Sequence, residues 1–453
     1  MKKIILPILC LLAFVPVNAQ TLQTAYLSDD FVYSYRLNPA FHSDYSFVGL
    51  PFIGVTSGVY KGDFALNNLF YKNGGERVTF MNSSVASSEF LDHFKKGLNK
   101  FSSESYTNLA AIGFRSGGLY NIVDVNVRNY ASGKLPGALA SFLKDGATTD
   151  GSYDLSGLRM HSTTFFELGI TSSWKTSRKL TLGMRFKGVI GFLNSYIDMD
   201  KLTINHSGEN WTVNSSGVIA SAFDGYQIAS KPAYYDPSVS LIDFSKTKVG
   251  KPRGLMNGYG VGADVGVLYD DSSWQLSASI SDIGCVFWFH NLYGHSPSAV
   301  KEYSAMYTPH QKGSAMEREF SDIGALLGDA ANFIMEDEFQ TLGLLPLTVR
   351  LGAKYLYLSD ISFGGLATFR YDDICPFYEL RGCVNYKPVK VVELIGSVGV
   401  GSLGVSLGAF ANARLGFLNI FAGTENLIGT SGSAFLPSSK GSPNMVAGLN
   451  ILW

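Results

Sequence analysis

The residues best placed to do chemistry are charges set two or four positions apart inside alternating runs. Arg185 and Lys187 stand in "LTLGMRFKGVIG", Arg350 and Lys354 in "LTVRLGAKYLYL", and Asp124 and Arg128 in "LYNIVDVNVRNY"; Asp264 sits among glycines in "YGVGADVGVLY". On an extended chain such positions share one face. That face is ionic and the opposite face carries the large apolar residues, so the chemistry on offer is ion pairing along an inner wall. Covalent catalysis finds no support. No HExxH run occurs, and the histidines fall mainly in expected loops. The run "GVGSLG", residues 399–404, formally matches a dinucleotide fingerprint, but "VSLGAFANARLG" behind it alternates as a strand where the fingerprint needs a helix. Asp372-Asp373 reads as a solvated loop tip sooner than a calcium site. Cys285, Cys375 and Cys383 show no CxxC spacing, although Cys375 and Cys383 are near enough to pair across a loop. We expect no enzyme activity, cofactor or metal.

The elements that carry these charges repeat one scheme. "TTFFELGITSSW" puts Phe166, Leu168, Ile170 and Trp174 on one face; "WQLSASIS" does the same with Trp274, Leu276, Ala278 and Ile280. Segments of about ten alternating residues joined by short polar turns are the signature of a transmembrane β-barrel. Composition agrees. Charged residues are 16% of the chain, against roughly 25% in ordinary soluble domains. Aromatics reach 13%, and Gly numbers 49 of 453. After residue 19 no apolar run is long enough for a membrane helix. The net charge of −1 argues against a nucleic-acid partner. A soluble sandwich would also alternate, but here the charges lie on the small-residue face and Trp and Tyr gather at strand ends. The expected fold is an all-β, closed antiparallel barrel of twelve to sixteen strands, with fourteen preferred. Its lumen-facing charges are Asp124, Arg128, Arg185, Lys187, Asp264, Arg350 and Lys354, because a charge on the lipid side at mid-membrane costs about 2–4 kcal/mol.

Both ends of the chain carry export signals. "MKKIILPILCLLAFVPVNAQ" has a basic start, a short apolar run and a small-residue cleavage site at Val17-Asn18-Ala19, so residues 1–19 read as a signal peptide. The last strand ends "GLNILW", where Gly448, Ile451 and Trp453 look like the terminal signal of Gram-negative outer-membrane barrels. The expected location is therefore that membrane, with its lipid and the barrel-assembly machinery as partners. Between these ends, residues 20–44 show no sustained alternation and form a plug or hatch that bends at Asn38, Pro39 and Ala40; residues 45–453 form the barrel. The long connections carry helical patches. Phe90, Leu91, Phe94 and Leu98 fall on one face of the first, Leu139, Phe142 and Leu143 on one face of the second, and "SDIGALLGDAANFIMEDEF" is a third. Phe90, Phe94, Leu139 and Phe142 are a candidate apolar capture site; mutual packing of the loop helices is the other reading.

"YRLNPAF" followed by "FVGLPFIGV" resembles the start of FadL-like barrels, the long-chain fatty-acid transporter family. "SASISDIGCVFWF", with Asp282, Ile283, Gly284 and Trp288, is similar to a strand of a related, poorly characterised group, as are "LLPLTVRLGAKY" and "FAGTENLIG". The resemblance implies a fourteen-stranded barrel with an amino-terminal hatch, and a small hydrophobic ligand taken up from outside and released sideways or downward. No fatty-carboxylate site is identifiable. Because some barrels of this fold belong to secretion machinery, a non-transporting scaffold or secretion-partner barrel is the alternative.

Overall fold

The computed structural model describes residues 23–146, 151–207, 210–233, 236–244, 246–303, 331–336, 339–402, 404–425 and 444–453. The expected signal peptide and most of the third helical patch lie outside the described residues.

Fourteen antiparallel strands close into a barrel. The first, β1, has two pieces, Phe47–Gly49 and Thr56–Gly62. It is followed by β2 (Leu98–Ser116), β3 (Leu119–Pro136), β4 (Leu158–Lys175), β5 (Leu180–Ser207), β6 (Gly258–Asp270) and β7 (Trp274–His290). Then come β8 (Thr348–Leu356), β9 (Ile361–Arg370), β10 (Phe377–Val389), β11 (Val392–Gly401), β12 (Gly404–Leu415), β13 (Leu418–Thr424) and β14 (Asn444–Leu452). The sheet closes because β14 pairs with β13 on one side and with both pieces of β1 on the other, Val48 opposite Ile451 and Thr56 opposite Ala447. Closure leaves no edge in the main wall, which an apolar surround requires.

Outward positions form a continuous apolar belt. Leu168 is 50% exposed, Phe186 60%, Leu351 57% and Val405 70%, on strands spread around the circumference. Inward positions are polar, charged or small.

Two strands change partners partway up. β5 pairs with β6 from Leu180 to Gly191, then with the strand Asn210–Ala222 from Asn194 upward. β7 pairs with β8 from Trp274 to Ser281, then with the short strand Phe339–Leu344 from Cys285 to His290. Phe339–Leu344 has no second strand partner among the described residues. The switch in β7 coincides with a bulge, where Asp282 adopts φ 65° and the pairing with β6 shifts register. The bulge also reverses the face alternation. Ser277, Ser279 and Ser281 face the lumen below it, and Asp282, Val286, Trp288 and His290 above it.

The helices are shorter than the apolar spacing suggested. α1 spans only Ser87–Leu91, and Leu98 instead opens β2 and is exposed. The Asn99 side chain ends the turn by accepting from Lys95 N and donating to Lys95 O. α2 spans Gly137–Asp145 and stops at Gly146, which has φ 72°. Connections at the end holding these helices are long over β1–β8, and the β13–β14 connection, 425–443, is also long, with all but its first residue outside the described residues. The β9–β10 connection is six residues, 371–376, and the β11–β12 connection is two, Ser402 and Leu403. All three described cysteines are free thiols, so Cys375 and Cys383 do not pair.

Candidate functional site

Three levels follow one another in the lumen from the end that holds Trp453 upward. The lowest is the amino-terminal segment. Gln23–Leu27 and Ser34–Arg36 form short 3-10 turns, and Ala25, Tyr33, Tyr35, Leu37, Asn38 and Ala40 are buried to zero exposure. Phe31 stacks edge-on against Phe410 and Phe421 of the wall. Asn38 Nδ2 donates to the carbonyls of Val267 and Ala278, both at 3.2 Å, while its Oδ1 accepts Ala40 N at 2.9 Å. One side chain thus ties the bend to two wall strands and shapes the bend itself. Pro39 rests on Gly183 and Asn38 on Gly266, positions where a Cβ would collide with the segment. At the outer edge of this layer Asp29 bonds Lys354 and Lys387, and its backbone N donates to Glu393. Burial alone would raise the Asp29 carboxyl, but the two lysines outweigh it and hold the pKa below the ordinary carboxylate range.

The middle layer is ionic. Arg128 reaches Glu167 at 3.0 Å, Asp282 at 2.7 Å and Glu104 at 3.2 Å. Arg185 meets Asp124 at 3.0 Å and Glu167 at 2.6 Å, and Lys187 meets Asp264 and Asp282, both at 2.6 Å. Arg370 meets Glu104 at 2.6 Å. From the plug, Tyr35 OH donates to Asp124 at 2.7 Å, and the Arg36 guanidinium lies over the Tyr106 ring. Of the seven charges expected inside, Asp124, Arg128, Arg185, Lys187 and Asp264 enter this network directly. Arg350 sits beside it on Ser281, and Lys354 lies lower, on the plug. Glu104, Glu167, Asp282 and Arg370 complete the layer and were not singled out for the lumen. The β7 bulge turns Asp282 inward, and only strand register brings the other three together. A positive φ cannot be read from "SISDIGC", but a charged residue breaking phase in an alternating run is a signal.

Above the ionic layer, a cavity of about 510 Å³ lies between β4, β5, β7, the short strand Phe339–Leu344 and the turn at Tyr371–Ile374. Phe165, Val286, Trp288 and Leu345 supply its apolar wall. The Trp288 ring is held in place by Gly191 and Gly258, where any side chain would strike the indole. His161, Thr163 and Asn194 supply a polar edge, and Arg159, Asp198, Asp372 and Asp373 also line the cavity. Thr163 Oγ1 and Asn194 Nδ2 approach His161 Nε2 at 2.9 and 2.8 Å. The cavity reaches the barrel's outer surface where the wall is interrupted. Thr348 of β8 still pairs with Arg370 at the top of β9, and Tyr371 N donates to Leu347 O at 2.8 Å. Above that point the edge of Phe339–Leu344 away from β7 has no strand partner among the described residues, and its exposed Leu342 and Leu344 line the cavity. Pro346 in "LLPLTV" is the sequence feature that marks the break, since proline cannot donate to a central ladder.

The four residues of the candidate capture site lie elsewhere, in the apolar cluster over the loop end. Phe90 stacks on Phe80 at 4.2 Å and meets Phe94 in a tilted contact at 4.8 Å; Phe142 contacts Tyr153 at 5.0 Å, and Leu139 is buried in the same cluster. Their surface is taken up by mutual packing, so they cap the barrel instead of lining an open site. At the other end, Trp453 is 60% exposed, with its N donating to Ser46 O at 3.1 Å. Gly448 sits where a Cβ would strike Gly54 O and the Phe421 ring.

Among solved structures the chain is similar to the Ralstonia pickettii toluene transporter TbuX, with 8% identity, TM-score 0.43, and coverage of 96% of this chain and 95% of that one. It is also similar to the Pseudomonas putida toluene transporter TodX, with 8% identity, TM-score 0.41, and coverage of 96% and 94%. A Pseudomonas aeruginosa FadL homologue follows, with 10% identity, TM-score 0.38, and coverage of 96% and 99%. No curated protein matches the sequence. The barrel assignment rests on the strand pairing itself. Over residues 39–425 the sequence matches the model of a family of unknown function, DUF5723, and the chain belongs to that family.

Proposed function

We propose that this barrel resides in the outer membrane and moves a small hydrophobic compound through its wall. The observation that carries the reading is the cavity beside the unpaired edge of Phe339–Leu344. Its volume suits a small organic molecule, and its wall of Phe165, Val286, Trp288 and Leu345 is apolar, with polar groups and the charged residues Arg159, Asp198, Asp372 and Asp373 also on its lining. The route is lateral because the plug and the ionic layer fill the lumen below. A compound entering from the loop end meets charge beneath it and Leu342 and Leu344 at the side, so lipid is the favourable exit. The apolar belt supports residence in a bilayer.

The filled lumen favours a second reading, a non-transporting scaffold or secretion-partner barrel, in which the cavity has no passenger. One variant separates the two. Thr341→Trp should fill the cavity and lower uptake of the hydrophobic dye N-phenyl-1-naphthylamine by cells overproducing the folded barrel at least tenfold. The control Leu380→Trp, on the lipid face, should leave uptake unchanged. Equal uptake in wild type and Thr341→Trp would overturn the transport reading in favour of the scaffold.

A further inference from the structure

At the centre of the ionic layer lies a second, much smaller cavity of about 20 Å³. That is room for one water-sized particle and no more. Five guanidinium groups border it, those of Arg36, Arg128, Arg185, Arg350 and Arg370, together with Lys187 and the carboxylates of Glu104, Glu167, Asp264 and Asp282. Arg128 and Arg185 are paired with those carboxylates, which leaves Arg36 of the plug, Arg350 of β8 and Arg370 of β9 as the groups to be accounted for. None of these three has all its donors satisfied. Arg36 Nη1, Arg350 Nε, and Arg370 Nε and Nη2 are buried without a hydrogen-bond partner. Arg350, only 4% exposed, bonds Ser281 Oγ at 3.3 Å and has no carboxylate at ion-pair distance among the described residues. Strand pairing forces the two wall arginines together. Thr348 is opposite Arg370 and Arg350 opposite Thr368, so the arginines are diagonal neighbours on one face of adjacent strands.

The charges of this layer do not balance. Arg36, Arg128, Arg185, Lys187, Arg350 and Arg370 are six cations, against the five carboxylates Glu104, Asp124, Glu167, Asp264 and Asp282. A buried positive excess is unfavourable unless something compensates it. Converging guanidinium donors around a small space recognise an anion, and the volume excludes phosphate, sulfate or a ligand carboxylate with its chain.

We propose that this cavity binds a single halide ion, chloride under physiological conditions. The ion accepts from Arg350 and Arg370 of the wall and from Arg36 of the plug, and so fastens the plug to the barrel. It neutralises the excess charge and makes retention of the plug depend on chloride. The site does not involve the lateral cavity and stands whether or not the barrel transports.

The test uses the full chain folded in detergent micelles. Thermal unfolding is followed in sodium chloride, sodium bromide and sodium gluconate at equal ionic strength. Chloride and bromide should raise the midpoint by several degrees over gluconate, saturating as a single site, because a ligand bound only by the folded state stabilises by mass action. Crystals grown in bromide should show an anomalous peak bordered by Arg36, Arg350 and Arg370. Arg350→Gln should abolish the halide dependence. Equal midpoints in all three salts with no bromide peak would overturn the proposal, as would a halide effect of the same size in Arg350→Gln. Should that variant fail to assemble, the wild-type titration and the bromide map decide alone.

Discussion

The two sides of this barrel are built to different heights. On one side β2, β3, β4, β5 and β7 run 19, 18, 18, 28 and 17 residues; on the other, β8 to β14 run between 7 and 13. A membrane-spanning strand needs only about 9–11 residues. The low side therefore stops near the bilayer surface, while the tall side continues past it and must cover its extra inner surface. It does so with the loop cluster around Phe90, Phe101, Leu139 and Phe142. Among the described residues the low side has no such cap; the plug turn Gln23–Leu27 packs against β8 to β12 instead. Each side is thus stabilised by a different partner, a loop cap on the tall side and the plug on the low side. The lateral opening lies where they meet, between the short strand attached to β7 and the top of β9. A wall that changes height must leave one strand edge without a neighbour, and here that edge borders the cavity.

Removing an ion from the layer that joins the two sides should have the largest effect. Arg185→Leu leaves buried Asp124 without a cationic partner and buried Glu167 with Arg128 alone, and should cost about 3–5 kcal/mol. Urea unfolding in detergent should show this as a lower midpoint. An unchanged midpoint would mean that the layer is hydrated and not a structural junction. A smaller effect should follow on the low side's outer face. Leu351→Arg places a charge against lipid and should cost about 2–4 kcal/mol, seen as less heat-modifiable barrel on a gel. Tolerance of that arginine would place β8 above the hydrocarbon and narrow the difference between the sides. The smallest effect concerns the tie between plug and low side. Because the Asp29 carboxyl is held below its ordinary range, its pairing with Lys354 and Lys387 stabilises the plug at neutral pH, and that contribution is lost as pH falls through the folded-state value. Limited proteolysis near residue 29 should accelerate on acidification in wild type, and Asp29→Asn should be already labile at neutral pH and flatter with pH.

Much of the architecture was legible because barrel strands announce themselves locally. The alternation around Arg185, Lys187, Arg350 and Lys354 identifies the inner face without knowledge of any neighbour, since successive side chains on a strand point to opposite faces. Short polar turns such as "KTSRK" and "DDSS" identify which strands are consecutive, so fourteen was the preferred number. The plug was legible as an interruption, a segment with a bend at Asn38-Pro39 where alternation had not begun.

Reading failed wherever partners are distant in sequence. The apolar spacing of Phe90, Phe94, Leu139 and Phe142 is the same whether these residues line a pocket or pack on one another, and only the approach of two separate loops decides between the two. Strict alternation from Trp274 onward would put Trp288 on the outer face; the bulge at Asp282 reverses the phase and points the indole inward. The partner switches of β5 and β7, and the unpaired edge of Phe339–Leu344, are properties of strand order, which no single segment encodes. The sequence by itself determined the strands, their faces and the sign of the lumen, because these follow from the pleat and from the penalty of charge in lipid. The tertiary structure alone decided which charges meet, where the wall opens and what fills the lumen, because those depend on register between strands hundreds of residues apart.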